Sequence, residues 1–419
     1  MKADVYVDSG VPVIRGTNIS EGRGFKGDWV YVTEEFAKGI PNCLLHPGDL
    51  VFPHRGSIGA VALIEATTGP MVLSTSMMKF RPNSAMADST FLYYFFRSAA
   101  GRQEILKFSS QVGTPGIGQP LSSLRQFRVP LPAISLQRSI SRILSTLDEN
   151  IELNRRTNET LGGMARALFK DWFVDFGPIR AKQGGLEPFL APELWSLFPA
   201  RLDAEGKPEG WRIEPLMDHA RLISGGTPKT DTPAYWNGGI SWASAKDVSQ
   251  CGEPFLIATE RTITQRGLEE SATRLIPTRA TVVVARGATT GRYCMAGNEM
   301  AMNQTCYALS SAQGHSFWLN CAFGALVEDL VNSAHGSVFD TITTKTIERA
   351  RVMIPTNRLI ERFQKMVEPV FLRVLANIEQ SRTLAQTRDL LLPKLMSGEV
   401  RAQETEPSTA SAPQNPQQR

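Results

Sequence analysis
The chain has 419 residues, of which 42% are hydrophobic, 8% aromatic and 21% charged, enough apolar material for two or three globular cores. Its 45 basic and 41 acidic side chains leave a net charge of +4, so bulk charge neither supports nor excludes a nucleic-acid partner. Purely apolar runs are too short to span a bilayer, the first residues lack the apolar core of an export signal, and five cysteines without a Cys-x-x-Cys pair point to a reduced, cytoplasmic protein with no metal or disulfide frame.

In chain order, the organising feature is a duplication. Gly10-Val-Pro-Val-Ile-Arg-Gly-Thr-Asn-Ile19 aligns with Gly239-Ile-Ser-Trp-Ala-Ser-Ala-Lys-Asp-Val248. Asp49–Gly59 aligns with Ala280–Gly291, each an apolar strand ending in Arg-Gly and a polar turn. Arg128-Val-Pro-Leu-Pro132 matches Arg351-Val-Met-Ile-Pro355, and the register then holds without a gap for about forty residues. This predicts a globular region over 1–131, a long helix over 132–176, an extended linker over 177–210, a second globular region over 211–357, a second long helix over 358–398 and a disordered polar tail over 399–419. The fold class expected is mixed α/β, with two globular domains in tandem repeat separated by two long helices.

Both helices carry apolar or small residues at alternating steps of four and three, the spacing of a coiled-coil seam. In the first the seam passes through Leu147, Ile151, Asn154 and Leu161; in the second it passes through Val370, Val374, Asn377 and Leu384. Asn154 and Asn377 hold equivalent mid-seam positions, where a buried polar residue fixes register. At ~1.5 Å per residue each helix is ~60 Å long and needs a partner along its stripe. Its twin in the same chain, running antiparallel, is the expected one. The second globular region also opens with Trp211–Thr230, whereas only nine residues precede Gly10. About twenty residues of that opening have no counterpart in the first region, whose reading face is expected to be the less complete.

Catalytic signatures are absent or fail on context. Gly22-Arg-Gly-Phe-Lys-Gly27 has the spacing of a dinucleotide fingerprint, but strand-like residues follow where a helix must open, so a surface turn is expected. There is no phosphate-binding Gly-x-x-x-x-Gly-Lys-Ser/Thr loop, no amino-methyltransferase Asn/Asp-Pro-Pro-Tyr/Phe run, and the five histidines are scattered. The duplicated Arg55-Gly56 and Arg286-Gly287 turns suit contacts to phosphates or guanine edges, although an arginine closing its own loop through backbone carbonyls accounts for them as well. The loops Ser109–Gly118 and His335–Lys345 are equivalent in position and different in sequence, as two readers of different sequences would be, or two drifting loops.

These segments together resemble the specificity subunit of Type I restriction–modification systems. The resemblance rests on the Arg-Gly turns, Phe127-Arg-Val-Pro-Leu-Pro132, Leu168–Lys182, Ser224-Gly-Gly-Thr-Pro-Lys229 and Leu391-Leu-Pro-Lys-Leu-Met-Ser-Gly398, and spans about residues 8 to 400. It implies a non-catalytic subunit that binds double-stranded DNA, reads an asymmetric bipartite site with its two domains and uses the paired helices as a ruler. It also implies two methyltransferase subunits and restriction/translocase subunits as partners. S-adenosylmethionine, ATP and Mg are expected on those partners, and no cofactor or metal on this chain. The partners are expected to dock on the outward faces of the helices and on Phe169-Lys-Asp-Trp-Phe173. Candidate DNA contacts are Arg15, Arg55, Ser57, Lys79, Gln111 and Thr114 in the first domain, and Lys229, Lys246, Arg286, Thr289, Asn303 and Lys345 in the second. A scaffold with two protein-binding domains on a coiled coil is the alternative.

Overall fold
A computed structural model describes residues 3–20, 22–110, 115–334 and 341–402. The chain divides into two compact units, residues 1–151 with 383–419, and residues 152–382.

In the first unit β1 (Val11–Ile14) pairs antiparallel with β2 (Val30–Val32). A second sheet forms from β3 (Leu50–Pro53), which lies between β4 (Ala62–Leu63) and β6 (Met77–Phe80). β5 (Val72–Leu73) runs parallel to β1, in the register Val13↔Val72. A short hairpin of β7 (Ser109–Ser110) and β8 (Gly116–Ile117) follows. All four β3 residues are buried, the mark of a strand covered on both faces. Helix Ser89–Arg97 buries six consecutive side chains, Phe91 to Phe96. A helix apolar all round must be enclosed, and it shares one core with β3, with Ile140 and Leu144 of the first long helix, and with Leu392 and Leu395 of the second. Its start is fixed by Asp88, whose carboxylate accepts from the Phe91 amide at 2.8 Å and from the Ser141 hydroxyl at 2.5 Å.

The second unit repeats this plan with longer strands. Its strands are β9 (Arg212–Pro215), β10 (Ala220–Ser224), β11 (Trp236–Ala243), β12 (Phe255–Leu256), β13 (Arg261–Ile263), β14 (Leu275–Ile276), β15 (Thr281–Val284), β16 (Tyr293–Ala296), β17 (Met300–Met302), β18 (Cys306–Ser311) and β19 (Arg351–Ile354). β11 pairs antiparallel with β13 and parallel with β17, as β1 does with β2 and β5. β15 lies between β16 and β18, as β3 does between β4 and β6. Among the described residues three pairings have no equivalent in the first unit: β10 on the outer edge of β18, β12 on β16, and β9 on β19.

The Ser224-Gly-Gly turn exists because two backbones touch there. A Cβ on Gly225 would lie 1.9 Å from the Asn303 carbonyl oxygen, and one on Gly226 2.4 Å from the Ala272 carbonyl carbon. Gly226 also donates its amide to Met302 at 2.9 Å and accepts from the Trp242 indole at 3.1 Å, so it cannot move aside cheaply. Gly226→Ala is expected to cost the second unit about 3 kcal/mol, read as an earlier urea transition by Trp fluorescence.

The first long helix runs Ile134–Phe173 and the second Asn357–Ser397. Within the first unit Asp148 meets Arg388 at 2.6 Å. Within the second, the Asn377 amide donates to Asn158 at 2.9 Å, the Asn154 amide to Gln380 at 3.0 Å and Ser381 at 3.2 Å, and Phe169 stacks edge-on with Phe363. Partner numbers fall on one helix as they rise on the other, so the pair is an intramolecular antiparallel coiled coil. The fold class is mixed α/β, two tandem domains each followed in sequence by one helix of this pair. Asn154, Asn377 and Val374 are buried, while Ile151, Leu161, Val370 and Leu384 are half-buried at its margins. Leu147 is half-buried too. The fully buried place beside it belongs to Asp148, because a charge there finds Arg388.

Residues 177–198 are not an extended linker. Helices Gly177–Gln183 and Pro192–Trp195 pack down, with Ile179 and Phe198 in the second unit's core. The prolines that suggested a linker sit in the first turns of these short helices, where a missing amide costs nothing. Phe169, Trp172 and Phe173 enter the same core, each at most 5% exposed. They pack the fold and present no docking face.

Candidate nucleic-acid interface
Each globular domain brings its two sequence-flagged loops together at the end of its central strand. In the first, β3 leads through His54 into Arg55 and Gly56, whose φ of +81° is left-handed and suits glycine. The Gly56 amide donates to the Pro115 carbonyl at 3.1 Å and the Ile117 amide to the His54 carbonyl at 2.9 Å, which makes a bridge between Arg55 and Gly116. In the second domain, β15 leads through buried Ala285 into Arg286 and Gly287, with φ +101°. The Ile342 amide donates to the Ala285 carbonyl at 2.8 Å, and Arg286 bridges Thr341. The Arg-Gly turn is thus stitched by backbone to the divergent polar loop, in both copies.

That stitching leaves the arginine side chains free. Backbone groups close both loops, so neither guanidinium is needed for it. Both are exposed and, among the described residues, neither makes a hydrogen bond or ion pair. A guanidinium without an ionic partner among the described residues keeps its five donors for a phosphate or a base edge. Thr289 is exposed on the Arg286 turn, which is tightened by the Thr290 hydroxyl donating to the Gly287 carbonyl at 2.7 Å. Lys345 is exposed in the first turn of helix Thr344–Arg349, which Thr343 caps two residues after the bridge. Ser57 is exposed beside Arg55. A cleft of about 530 Å³ lined by His54, Arg55, Ser110 and Gly116 lies at the same place.

Lys79, Arg15, Asn303 and Lys246 are engaged within the fold. Lys79 turns inward, its ammonium donating to the Leu44 carbonyl and lying 3.6 Å from the buried Asp49 carboxylate, which Arg81 also holds below the usual carboxylate range. Arg15 donates to the Asp28 carbonyl at 2.7 Å and closes the loop that ends at β2. Asn303 accepts from both the Thr305 amide and hydroxyl, shaping the turn before β18. Lys246 is exposed but paired with Glu260 at 2.6 Å, which raises the ammonium above its ordinary value. Lys229 is exposed and its carbonyl, not its ammonium, is used, by the Trp236 indole. Gln111 and Thr114 lie outside the described residues, as do 335–340 and the tail from 403.

Two exposed arginines escaped the sequence reading, one beside the first Arg-Gly turn and one on β13 of the second domain. Arg102, on helix Ala99–Leu106, lies over the first Arg-Gly turn, so close that a Cβ on Gly59 would be 3.2 Å from it. It is exposed, and no local motif signals it because the helix reaches the turn only in three dimensions. Arg261 is exposed with its guanidinium 3.5 Å above the Trp236 ring, an arrangement that fixes its direction. The Gly22–Gly27 run is a turn leading into β2, held by the Asn18 amide on the Lys26 and Asp28 carbonyls, and no helix opens there. Among the described residues no three His, Cys, Asp or Glu side chains could hold a metal, and no helix is long and apolar enough to cross a membrane.

Comparison with known proteins agrees with this duplicated plan. The family described as the Type I restriction modification DNA specificity domain matches twice, over residues 2–162 and 208–367. The chain is 25% identical over 392 residues to the Type I restriction enzyme MjaIX specificity subunit of Methanocaldococcus jannaschii, covering 89% of this chain and 82% of that protein. It is 25% identical over 402 residues to the HindI specificity subunit of Haemophilus influenzae, covering 84% and 86%. The crystal structure of a Type I restriction–modification S subunit from M. genitalium has the same fold, with a TM-score of 0.55 at 15% identity over 94% of this chain and 91% of that one. With two matched domains, each carrying the same strand-end arginine beside its own polar loop, the chain belongs to the Type I restriction–modification DNA specificity family.

Proposed function
We propose that the chain is the DNA-reading subunit of a Type I restriction–modification complex, itself without a catalytic site. Each domain reads one half of an asymmetric bipartite site in double-stranded DNA, and the paired helices set the number of unread base pairs between the halves. Two methyltransferase subunits and restriction/translocase subunits dock on it and carry the S-adenosylmethionine, ATP and Mg. One observation carries the reading: in both domains a strand-end arginine, without a side-chain partner among the described residues, is bridged to a polar loop whose sequence differs between the copies. A shared frame with unlike loops is what reading two unlike half-sites requires, since base edges and not the phosphate frame carry sequence information. The near-neutral charge fits a subunit whose partners supply part of the phosphate attraction. Footprinting of the chain together with its methyltransferase subunits is expected to show two separated protected patches of different sequence. No sequence-selective protection would overturn the reading and favour a protein-binding scaffold.

A further inference from the structure
The two Arg-Gly turns are copies of each other, but the helices lying over them are not. Each turn closes on a glycine in the left-handed region, Gly59 at φ +94° and Gly291 at φ +88°. In the first domain the helix residue against that glycine is Arg102, whose Cγ and Nε would each lie 3.2 Å from a Cβ on Gly59. In the second domain it is Val331, with a methyl 2.4 Å from the same point on Gly291. The helices also arrive differently. Helix Ser316–Ala334 of the second domain runs unbroken through Val331. In the first domain the helical run stops at Arg97 and restarts as Ala99–Leu106. Ser98 makes the break: its hydroxyl donates to the Phe95 carbonyl at 2.6 Å and accepts from the Gly101 amide at 3.2 Å. Gly101 permits it, since a Cβ there would lie 2.0 Å from the Phe95 carbonyl oxygen. The restarted helix seats Arg102 beside the Arg55 turn. There it is exposed and, among the described residues, makes no hydrogen bond or ion pair.

We infer, resting on the DNA reading proposed above, that Arg102 is a specificity-determining residue of the first half-site and reads a guanine there. It is a second free guanidinium at the turn that carries Arg55, its stem laid against the Gly59 backbone. The repeat separates a base contact from a phosphate contact. Both domains meet the same sugar–phosphate frame, and a contact to that frame serves both alike. A cation seated in one copy and replaced by valine in the other belongs to what differs between the half-sites, which is the bases. The planar guanidinium offers two parallel N–H donors, and guanine is the base that presents paired acceptors, O6 and N7, in the major groove. Val331 has no side-chain donor, so no guanine is read from the matching place in the second domain.

Binding of the chain with its methyltransferase subunits is measured on duplexes in which each base pair of the site is varied in turn. Arg102→Ala is expected to lower the preference for guanine at one position of one half-site by about tenfold to a hundredfold. Selectivity in the other half-site is expected to stay whole, which shows in the same measurement that the variant is folded and assembled. Arg102→Lys should lose the preference as well, because lysine keeps the charge without the fork. A selective wild type whose preferences all survive Arg102→Ala overturns the inference alone. So does an even loss of affinity across all base changes that Arg102→Lys restores, the pattern of a phosphate contact. A wild type without any selectivity overturns the DNA reading itself, and this assignment with it.

Discussion

Replacing Arg388 by methionine is expected to destabilise the first unit by about 3 kcal/mol. Asp148 and Arg388 face each other with side chains only 5% and 13% exposed, at 2.6 Å. The Tyr94 hydroxyl donates to the other Asp148 oxygen at 2.7 Å, and burial beside that carboxylate pushes the phenol far above its usual range, so it stays a neutral donor. Burial alone would weaken the Arg388 charge. The hydrogen bonds and charges of Asp148 and Asp389 more than offset it, and the guanidinium is held in its charged form. Removing Arg388 leaves a buried carboxylate with one phenol, an uncompensated charge. The double variant Asp148→Leu with Arg388→Met removes both charges and is expected to recover most of the loss. A double-mutant cycle on urea transitions checks this, and a double variant as unstable as the single one would show that the pair does not act as a unit.

The same pair shows where sequence reading reached its limit. The heptad spacing located both long helices to within a few residues, because period 3.5 over forty residues is a strong signal. It placed Asn154 and Asn377 at equivalent mid-seam positions, and both are buried. The two meet where the helices cross equivalent positions: the Asn154 side-chain amide donates to the Asn377 carbonyl at 3.4 Å, to Gln380 and to Ser381, and the Asn377 side-chain amide donates to Asn158. Asp148 was passed over for Leu147, since a charged residue scores against a seam unless its partner, 240 positions away, is known. The Arg-Gly turns were legible because the duplication kept them. Lys79 and Arg15 failed for the reverse reason: a lone cation near a loop carries no sign of whether carbonyls or solvent await it. Residues 177–198 were misjudged because proline and glycine mark short-helix boundaries as well as linkers.

Arg286→Ala is expected to weaken binding at one half-site only, by about 1–3 kcal/mol, and to relax discrimination there if the guanidinium reads a base edge. Arg55→Ala is expected to do the same at the other half-site, because each arginine is bridged to its own domain's loop. Equilibrium binding of the chain with its methyltransferase subunits, to duplexes altered in one half at a time, separates the two. A phosphate contact gives a different pattern. Affinity then falls evenly across base changes, and the dependence of log affinity on log salt becomes shallower by about one charge. Arg286→Lys distinguishes them further, since lysine keeps a point charge for a phosphate but loses the planar fork needed for paired bonds to one guanine. Neither alanine substitution disturbs the loops that carry the arginines, which are closed by the Gly56, Ile117 and Ile342 amides. A loss of binding in these variants therefore reports on the side chain itself. Unchanged affinity and unchanged selectivity in both would remove the Arg-Gly turns from the interface and move the reading face elsewhere in the two domains.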